Sequence, residues 1–204
     1  MSATVFNQIG PYAIVRELGQ GGMARVFLAT DTRSSQTVAL KVVRDGPEAD
    51  AREILAAEER GAELQKEFSQ ASQYVPQVFD VGYAPGYFYI AMEYVDGDDL
   101  SAVLRAGALS PARAVHIATQ LCQFLEEVDR AEAAAGEPAA RTLLHNDLKP
   151  SNVRIVSGDR VKVLDFGAAK ALSLSRRVTR NSFGSIAYLS PECLETGLRD
   201  RRTD

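Results

Sequence analysis

Four polar residues of the kinds used in group transfer lie close together in the sequence. Asp147, Lys149 and Asn152 fall within LLHNDLKPSNVRIV (143–156), and Asp165 ends the next apolar run. An aspartate can orient a hydroxyl and accept its proton, and a lysine can neutralise a phosphoryl group during its transfer. Amide and carboxylate oxygens are the hard ligands that suit Mg²⁺. Each residue alone is typical of a turn, but the set indicates phosphoryl transfer.

Two further features, both nearer the N-terminus, suit a phosphate-bearing ligand. Gly19, Gly21 and Gly22 lie in LGQGGMARVF (18–27), between two apolar runs. Glycines let backbone N–H groups approach phosphate oxygens, although an ordinary hairpin turn uses glycines too. Lys41 lies inside the apolar run VALKVV, where a cation needs an anionic partner such as a phosphate or a carboxylate. The alternative is a lysine on an exposed strand face.

Composition excludes several functional classes. The 204 residues are 46% hydrophobic and carry a net charge of −4, which predicts a globular protein without a general basic surface for nucleic acid. Cys122 and Cys193 do not form a C-x-x-C pair, so a disulfide framework or zinc site has no support. Cys122 is predicted to be buried on a helical stripe. With no signal peptide or membrane-length apolar run in the sequence, the chain is predicted to be cytoplasmic.

The first half of the chain predicts strands around one helix. The helix is expected from Glu48 to about Gln73, where Ala, Glu, Leu, Arg and Gln dominate, with Pro47 at its start. A turn is expected at Pro85–Gly86. Alternating or β-branched runs predict strands at 12–19, 24–30, 37–43, 75–83 and 87–95.

The second half predicts a long helix and a hairpin. Ser110–Pro111 caps a helix that reaches Val128, and residues 130–141 are expected to be a surface insertion or linker. Residues 153–167 predict a hairpin, and 168–187 a mobile loop. The apolar stripe of the helix comprises Val115, Ala118, Leu121, Cys122, Leu125 and Val128.

In this order the motifs resemble those of the protein kinase family. GQGGMARV is similar to its glycine-rich loop and VALK to its strand lysine. HNDLKPSN is similar to the catalytic loop, DFG to the metal-binding turn, and SPE (190–192) to the end of the activation segment. YIAMEYVDG resembles the hinge between the lobes. The GGM and DLKPSN segments are most similar to bacterial members of the eukaryotic-type serine/threonine kinases.

The resemblance implies an α+β, two-lobed fold. Residues 1–11 would be an N-terminal extension. Residues 12–95 would form the N-lobe, a five-stranded antiparallel sheet with one helix. Residues 96–204 would form a partial, mainly helical C-lobe that ends at the start of the central helix, with Asp204 opening that helix.

The resemblance also implies roles for individual residues. Asp147 would orient the substrate hydroxyl, Lys149 would meet the γ-phosphate, and Asn152 and Asp165 would hold Mg²⁺. His145 would pack against Phe166 and hold the loop. ATP would be bound by Leu18, Gly19, Gly21, Gly22, Val26, Ala39, Lys41, Met92 as gatekeeper, and backbone groups from Glu93 to Val95.

In the family the strand lysine pairs with a helix glutamate, and here the choice is open. Glu58 shares a helix face with Leu55 and Ala62 and is chosen for its spacing from Lys41. Glu63 and Glu67 remain alternatives.

The sequence departs from the family pattern in four places. Ala24 replaces the third loop glycine with little expected harm. Asn146 replaces the arginine that pairs with a phosphorylated activation loop, so activity is predicted not to require loop phosphorylation. Arg154 replaces an apolar residue under the adenine, where its stem would cover the base. After Asp204 the remaining large-lobe helices are absent, so apolar faces such as that of helix 110–128 are expected to be exposed. The chain is then a fragment, a reduced kinase, or completed by another chain or segment.

Three functions follow from the sequence. The preferred one is an ATP- and Mg²⁺-dependent serine/threonine protein kinase, acting on protein hydroxyls without nucleic-acid or membrane partners. The second is a nucleotide-binding pseudokinase or scaffold, favoured by Asn146, Arg154 and the short chain. The third is a small-molecule kinase of the aminoglycoside or choline type, which HND resembles but DFG and GSIAYLSPE do not.

Overall fold

The computed structural model describes residues 7–20, 24–46, 49–135, 145, 148–165, 188, 190 and 191. The chain divides into two compact units, each made of two segments. The first unit contains residues 1–56 and 77–94, and the second contains 57–76 and 95–204.

The first unit is built on one antiparallel sheet. Its strands are β1 (Gln8–Ile9), β2 (Tyr12–Gln20), β3 (Ala24–Asp31), β4 (Thr37–Arg44), β5 (Val78–Ala84) and β6 (Tyr87–Glu93), in the order β1-β2-β3-β4-β6-β5. The five expected strands are present, and the short β1 adds a sixth. It forms because Gly10, with φ of 53°, lets the chain turn back so that Ile9 pairs with Tyr12. Pro85–Gly86 is the expected turn between β5 and β6, with Gly86 at φ of 78°.

Strand alternation gives this sheet one core face. The residues that pack in this core are two apart along β3, β4 and β6, as the pleat requires. Tyr89 lies edge-on to Tyr12, with ring centroids 5.4 Å apart. The core comprises Ile9, Tyr12, Phe27, Ala29, Val38, Leu40, Val42, Tyr89 and Ala91.

A polar network closes the edge of this core. The buried Tyr12 hydroxyl donates to Asp80 Oδ2 at 2.9 Å and accepts from Arg33 Nη2 at 3.0 Å. Arg33 also binds Asp31 and Asp80. Burial and the neighbouring Asp80 raise the pKa of Tyr12, while the hydrogen bonds from Arg33 lower that of Asp31. The network joins β2, the β3–β4 turn and β5.

Helix α1 (Ala49–Ser69) belongs to both units, because the boundary between them falls after Ala56. Its end is four residues earlier than expected. The amides of Gln70, Ala71 and Ser72 instead bond to carbonyls of Glu67 and Phe68 in a terminal turn.

The second unit combines a small sheet with two helices. The strands β7 (Asp98–Asp99), β8 (Val153–Val156) and β9 (Arg160–Val163) pair in that order. Helices α2 (Leu100–Ala106) and α3 (Pro111–Ala135) lie between β7 and β8 in the chain. The hairpin was expected, whereas β7 and α2 were not, because their apolar pattern is too short to stand out.

Helix α3 begins as expected and ends later. The Ser110 hydroxyl accepts from the amide of Arg113, and the Ser110 carbonyl from that of Ala114. Residues 130–135 were expected in a linker but continue the helix, since alanine and glutamate favour it. Residues 136–141 lie outside the described part.

The predicted apolar stripe of α3 is only partly correct. The buried face is carried by Ile117, Phe124 and Val128, with Leu121 and Leu125 packed beside it. Cys122 was predicted to be buried but is exposed, because it lies about 100° around the helix from Leu121. Val115, which was also assigned to the stripe, is 64% exposed. The second core comprises Phe68, Tyr74, Val75, Leu100, Ile117, Phe124, Val128, Val153, Ile155, Val161 and Val163.

Polar side chains of α3 hold the turn of the β8–β9 hairpin. Arg113 donates two hydrogen bonds to Asp159 Oδ1, at 3.0 and 2.8 Å. Gln120 donates to the Asp159 carbonyl at 2.8 Å, and its side-chain oxygen accepts from the amide of Val161 at 3.0 Å. Asp159 has a φ of 55°, and these contacts stabilise that uncommon backbone conformation.

In the part of the chain that the structure describes, every helix is too short or too polar to cross a membrane.

Candidate functional site

The nucleotide-binding residues expected in the first unit share one face of its sheet. Strand register places Val26 opposite Lys41, and Lys41 opposite Ile90, in one row. The next row contains Ala39 opposite Met92. Directly opposed residues project to the same side of a sheet, so these side chains lie on the face away from the first core.

Lys41 is half-buried at the middle of this face. Leu40 and Val42, on either side of it in β4, point into the core. Gly19 pairs with Val26, so the end of β2 that leads to the glycine-rich turn lies in the same row. Leu18 falls at an irregularity of the β2–β3 register, between Glu17 and Gly19. The sheet thus brings the cation and the start of the glycine-rich turn together.

The hinge residues are divided between the units. Glu93 ends β6, and its amide donates to the Gln77 carbonyl at 2.8 Å. That amide is therefore committed within the first unit. Val95 belongs to the second unit and is buried.

In the second unit the hairpin brings the two expected metal ligands to adjacent strand ends. Val153 opens β8 and pairs with Val163, which closes β9. The ladder continues one step further, since the Leu164 amide donates to the Asn152 carbonyl at 2.7 Å. Asn152 is buried, and Asp165 is exposed with φ of 56°.

His145 and Lys149 lie near the same strand end. His145 is fully buried, and its Nε2 is 2.8 Å from the Leu164 carbonyl oxygen. Its ring lies edge-on to Phe124 of α3, whereas Phe166, the expected neighbour, lies outside the described residues. The Lys149 carbonyl accepts from the Asn152 amide at 2.8 Å, which closes the turn between them. His145 therefore ties the chain before Asp165 to α3.

The donor set at this strand end suits magnesium. Asn152 and Asp165 offer only oxygen, and no described group of three or more His, Cys, Asp or Glu residues forms a metal cage. Mg²⁺ ordinarily takes one or two carboxylates and completes its shell with substrate phosphates and water. The residues present therefore fit a cation that arrives with a nucleotide.

Asp99 and Gly97, both in the second unit, were not singled out from the sequence, and each contacts β8. Arg154 Nη1 donates to Asp99 Oδ1 at 3.0 Å, across the β7–β8 pair. Gly97 lies so close to β8 that an added Cβ would be 2.3 Å from the Ile155 carbonyl oxygen. Both contacts depend on strand register, which the run DGDD does not reveal.

The helix glutamates differ in exposure. Glu58 is half-buried, and Glu63 and Glu67 are exposed. Lys41 belongs to the first unit and Glu58 to the second. The pairing of these two residues stays a prediction.

Several expected site residues lie outside the described part of the chain. They are Gly21, Gly22, Asn146 and Asp147, together with Phe166, the mobile loop 168–187 and Asp204.

Comparison with known proteins shows that this chain is similar to protein kinases over most of its length. The protein kinase domain family matches residues 12–204. PknD, a serine/threonine-protein kinase of Mycobacterium tuberculosis, is 33% identical over 194 residues, which is 92% of this chain and 27% of PknD. PrkC of Bacillus subtilis, also a serine/threonine-protein kinase, is 34% identical, with coverage of 96% and 28%. The probable serine/threonine-protein kinase PknB of Lactococcus lactis is 39% identical, with coverage of 89% and 27%. The chain thus spans about a quarter of the length of these relatives.

A solved structure shares the fold. The kinase domain of PknI from Mycobacterium tuberculosis superposes with a TM-score of 0.69 at 26% identity. The match covers 100% of this chain and 72% of the PknI chain.

Proposed function

The chain belongs to the protein kinase domain family, and we propose that it is an ATP-dependent serine/threonine protein kinase of the bacterial type. The observation that carries the proposal is the family match over residues 12–204, together with a face around Lys41 and a strand end at Asn152 and Asp165. We place its substrates among proteins with accessible serine or threonine hydroxyls, in the cytoplasm, where ATP is supplied.

In this proposal the first unit binds the nucleotide. Lys41 neutralises the α- and β-phosphates and pairs with Glu58 of the helix. The backbone of Gly19, Gly21 and Gly22 covers the phosphates without side chains in the way. Leu18, Val26, Ala39 and Met92 contact the base, and Glu93 and Val95 offer it backbone groups.

The second unit aligns the reacting groups. Asn152 and Asp165 hold Mg²⁺, which when bound neutralises the β- and γ-phosphate oxygens. Lys149 contacts the γ-phosphate. Asp147 orients the substrate hydroxyl and accepts its proton as the new oxygen–phosphorus bond forms and the bond from the γ-phosphorus to the bridging oxygen of ADP breaks.

Catalysis of this kind depends on positioning and charge neutralisation rather than on a covalent intermediate. The β8–β9 hairpin supports that task. Arg113 and Gln120 of α3 hold its turn, and His145 bonds to the opposite end, next to Asp165.

The test is the intact mass of the purified 204-residue chain after incubation with Mg-ATP and a serine/threonine-containing acceptor protein. Asp147→Asn, which keeps the side-chain shape but cannot accept the proton, is the matched control. We expect phosphate on the wild-type chain or the acceptor and none with the variant.

The other outcomes separate the alternatives. Thermal stabilisation by Mg-ATP without any transfer would favour a pseudokinase. Transfer to small alcohols or amines alone would favour a small-molecule kinase. Equal transfer by wild type and Asp147→Asn would contradict the proposed role of Asp147.

A further inference from the structure

An ion pair joins β2 and β3, the two strands that flank the glycine-rich segment. Arg25 Nη2 of β3 donates to Glu17 Oε2 of β2. The guanidinium carbon of Arg25 also lies 4.8 Å from the centroid of the Phe27 ring, which is buried in the first core. The guanidinium is therefore held by an opposite charge and by the face of a buried ring.

The ion pair lies on the core face of the sheet. Glu17 is directly opposite Phe27, and Arg25 is directly opposite Val42. Both of these partners point into the first core, and directly opposed residues project to the same side. Val26, between Arg25 and Phe27 in the chain, projects to the other face, which carries the expected nucleotide-binding residues. An effect of the ion pair on a bound nucleotide must therefore pass through the backbone of the two strands.

The ion pair stands beside a β-bulge in β2. Glu17 is opposite Phe27 and Gly19 is opposite Val26, so β2 has one residue more than β3 over this step. The extra residue is Leu18. A bulge changes the local twist of a strand and the direction of its side chains. Leu18 and Gly19 are both among the residues expected to bind the nucleotide, so the geometry of this bulge affects the site.

The two charges lie on opposite sides of the bulge. Glu17 immediately precedes Leu18, whereas Arg25 is opposite Gln20, two residues after it. Strand register is weakly specified where glycines are frequent, as they are from Gly19 onward. An ion pair that spans the bulge therefore supplies a register constraint that the glycine-rich backbone lacks.

We propose that Glu17 and Arg25 are positioning residues for the nucleotide. Their ion pair fixes the bulge at Leu18, and with it the direction in which the glycine-rich segment leaves β2. This inference rests on the proposed function, because it assumes a nucleotide on the face that carries Lys41.

The surroundings of the pair favour a positioning role over a general contribution to stability. Exposed ion pairs usually add little stability, because two long side chains must be ordered to form them. Here the Phe27 ring orders the guanidinium, and the side chains of Arg25 and Glu17 are only 29% and 35% exposed. The rest of the β2–β3 ladder extends from Tyr12 to Gln20 and does not depend on this pair. Its loss should therefore affect the bulge more than the fold.

The test is a binding titration of the 204-residue chain with Mg-ADP, using Glu17→Arg, Arg25→Glu and the double variant that exchanges the two charges. Each single variant opposes like charges and is expected to weaken ADP binding about fivefold to tenfold. The double variant restores an opposite pair across the same bulge and should bind within about 1.5-fold of the wild type. Glu17→Gln removes the attraction without adding repulsion and is expected to weaken binding about threefold.

Asp31→Asn, at the other end of β3, is the matched control. It weakens an ion pair with Arg33 in the same sheet but away from the glycine-rich segment, and it should leave ADP binding unchanged. Thermal unfolding without ligand measures how far each variant is destabilised. Unchanged ADP binding by the single variants, no recovery in the double variant, or an equal loss in Asp31→Asn would each overturn the inference.

Steady-state kinetics separate positioning of the nucleotide from an effect on the reacting groups. Glu17→Arg and Arg25→Glu should raise the KM for ATP by about the factor seen in the titration and leave kcat within about twofold, because Asn152 and Asp165 belong to the second unit. A fall in kcat at unchanged KM would contradict the proposed role.

The result is separable from that of the kinase test. Phosphate transfer by the wild type combined with unchanged ADP binding by Glu17→Arg and Arg25→Glu would overturn this inference alone. ADP binding that depends on the charge pair, without any transfer, would overturn the kinase proposal alone. A wild-type chain that does not bind ADP would overturn both.

Discussion

At the scale of single residues, the proposed metal site depends on one buried amide. Asn152→Ala removes an oxygen ligand, so the Mg²⁺ concentration needed for half-maximal phosphate transfer is expected to rise about 10- to 100-fold. Titration of Mg²⁺ at saturating ATP measures this change.

Asn152→Asp keeps a hard oxygen and should retain most of the activity lost in Asn152→Ala. Ser151→Ala, at an exposed position of the same turn, is the control for the local backbone. Equal Mg²⁺ requirements in Asn152→Ala and wild type would exclude Asn152 as a ligand.

Tyr12 links stability to pH in the alkaline range. Burial, and then its hydrogen bond to Asp80, raise the pKa of Tyr12 above the ordinary tyrosine value. Above pH of about 10 the unfolded chain loses this proton before the folded one does, so the contribution of Tyr12 to stability is full below that pH and is lost as the pH rises.

Tyr12→Phe keeps the buried ring but removes both hydrogen bonds of the hydroxyl. We expect the free energy of unfolding to fall by about 1 kcal/mol at neutral pH and to decline less steeply above pH of about 10. Urea unfolding at a series of pH values measures both effects, and an unchanged alkaline slope would contradict the role given to the hydroxyl.

At this scale the sequence makes the candidate residues recognisable, and their roles stay predictions. Lys41 stood out because a cation inside an apolar run needs a partner, and Asn152 and Asp165 because hard oxygen ligands flank a hairpin. Asp99 did not stand out, since in DGDD it has the same appearance as any exposed acid. Its ion pair with Arg154 depends on the pairing of β7 with β8, which joins residues 55 apart in the chain.

At the scale of elements, the close approach of Gly97 to β8 allows no side chain. An added methyl would be 2.3 Å from the Ile155 carbonyl oxygen, so the backbone must shift. Gly97→Ala is expected to lower the free energy of unfolding by about 1–3 kcal/mol. Chemical unfolding measures the loss.

Gly19→Ala is the matched control for stability, because its added methyl meets no atom within 4 Å. Equal stability of the two variants would show that β8 moves away without cost.

The contacts from Gln120 of α3 to the β8–β9 hairpin, called the clamp here, can be tested by substitution. Gln120→Ala leaves the Val161 amide and the Asp159 carbonyl without their described partners, and about 1–3 kcal/mol of stability is expected to be lost. Amide hydrogen exchange at Val161 should become faster than in the wild type. His116→Ala, on the exposed face of the same helix, should leave that exchange rate unchanged, and slow exchange in both variants would argue against the clamp.

The elements themselves were predictable where the pattern is long. The strands of the first sheet and the start of α3 follow from alternation and from a serine–proline cap. The buried face of α3 was predicted less well, because apolar residues occur nearly all around it and neighbours decide which of them are covered. Cys122 and Val115 are exposed for this reason.

At the scale of the whole molecule, Asn146 bears on whether activity depends on phosphorylation of the activation loop. An uncharged amide cannot make a charge-assisted pair with a phosphorylated loop. We therefore expect that replacing Ser173, Ser175, Thr179 and Ser182 together by alanine lowers transfer to an acceptor protein by less than about twofold to threefold, a change too small for the loss of a required phosphate pair. Rates with a fixed acceptor measure this, and a large loss of activity in a folded variant would show that loop phosphorylation is required.

The two-unit organisation has a consequence for synthesis on the ribosome. Residues 68–75 contribute Phe68, Tyr74 and Val75 to the second core, and the Tyr74 carbonyl accepts from the Val163 amide at 2.6 Å. At about 5–20 residues per second, these apolar side chains leave the ribosome on the order of 5–20 s before β9 does. The strands of the first sheet are complete by Glu93 and can pair during that interval. The nascent chain should therefore present a folded β-sheet beside an apolar segment, residues 68–75, whose packing partners have not yet been made. Until the β8–β9 hairpin emerges, this segment is expected to be a binding site for chaperones.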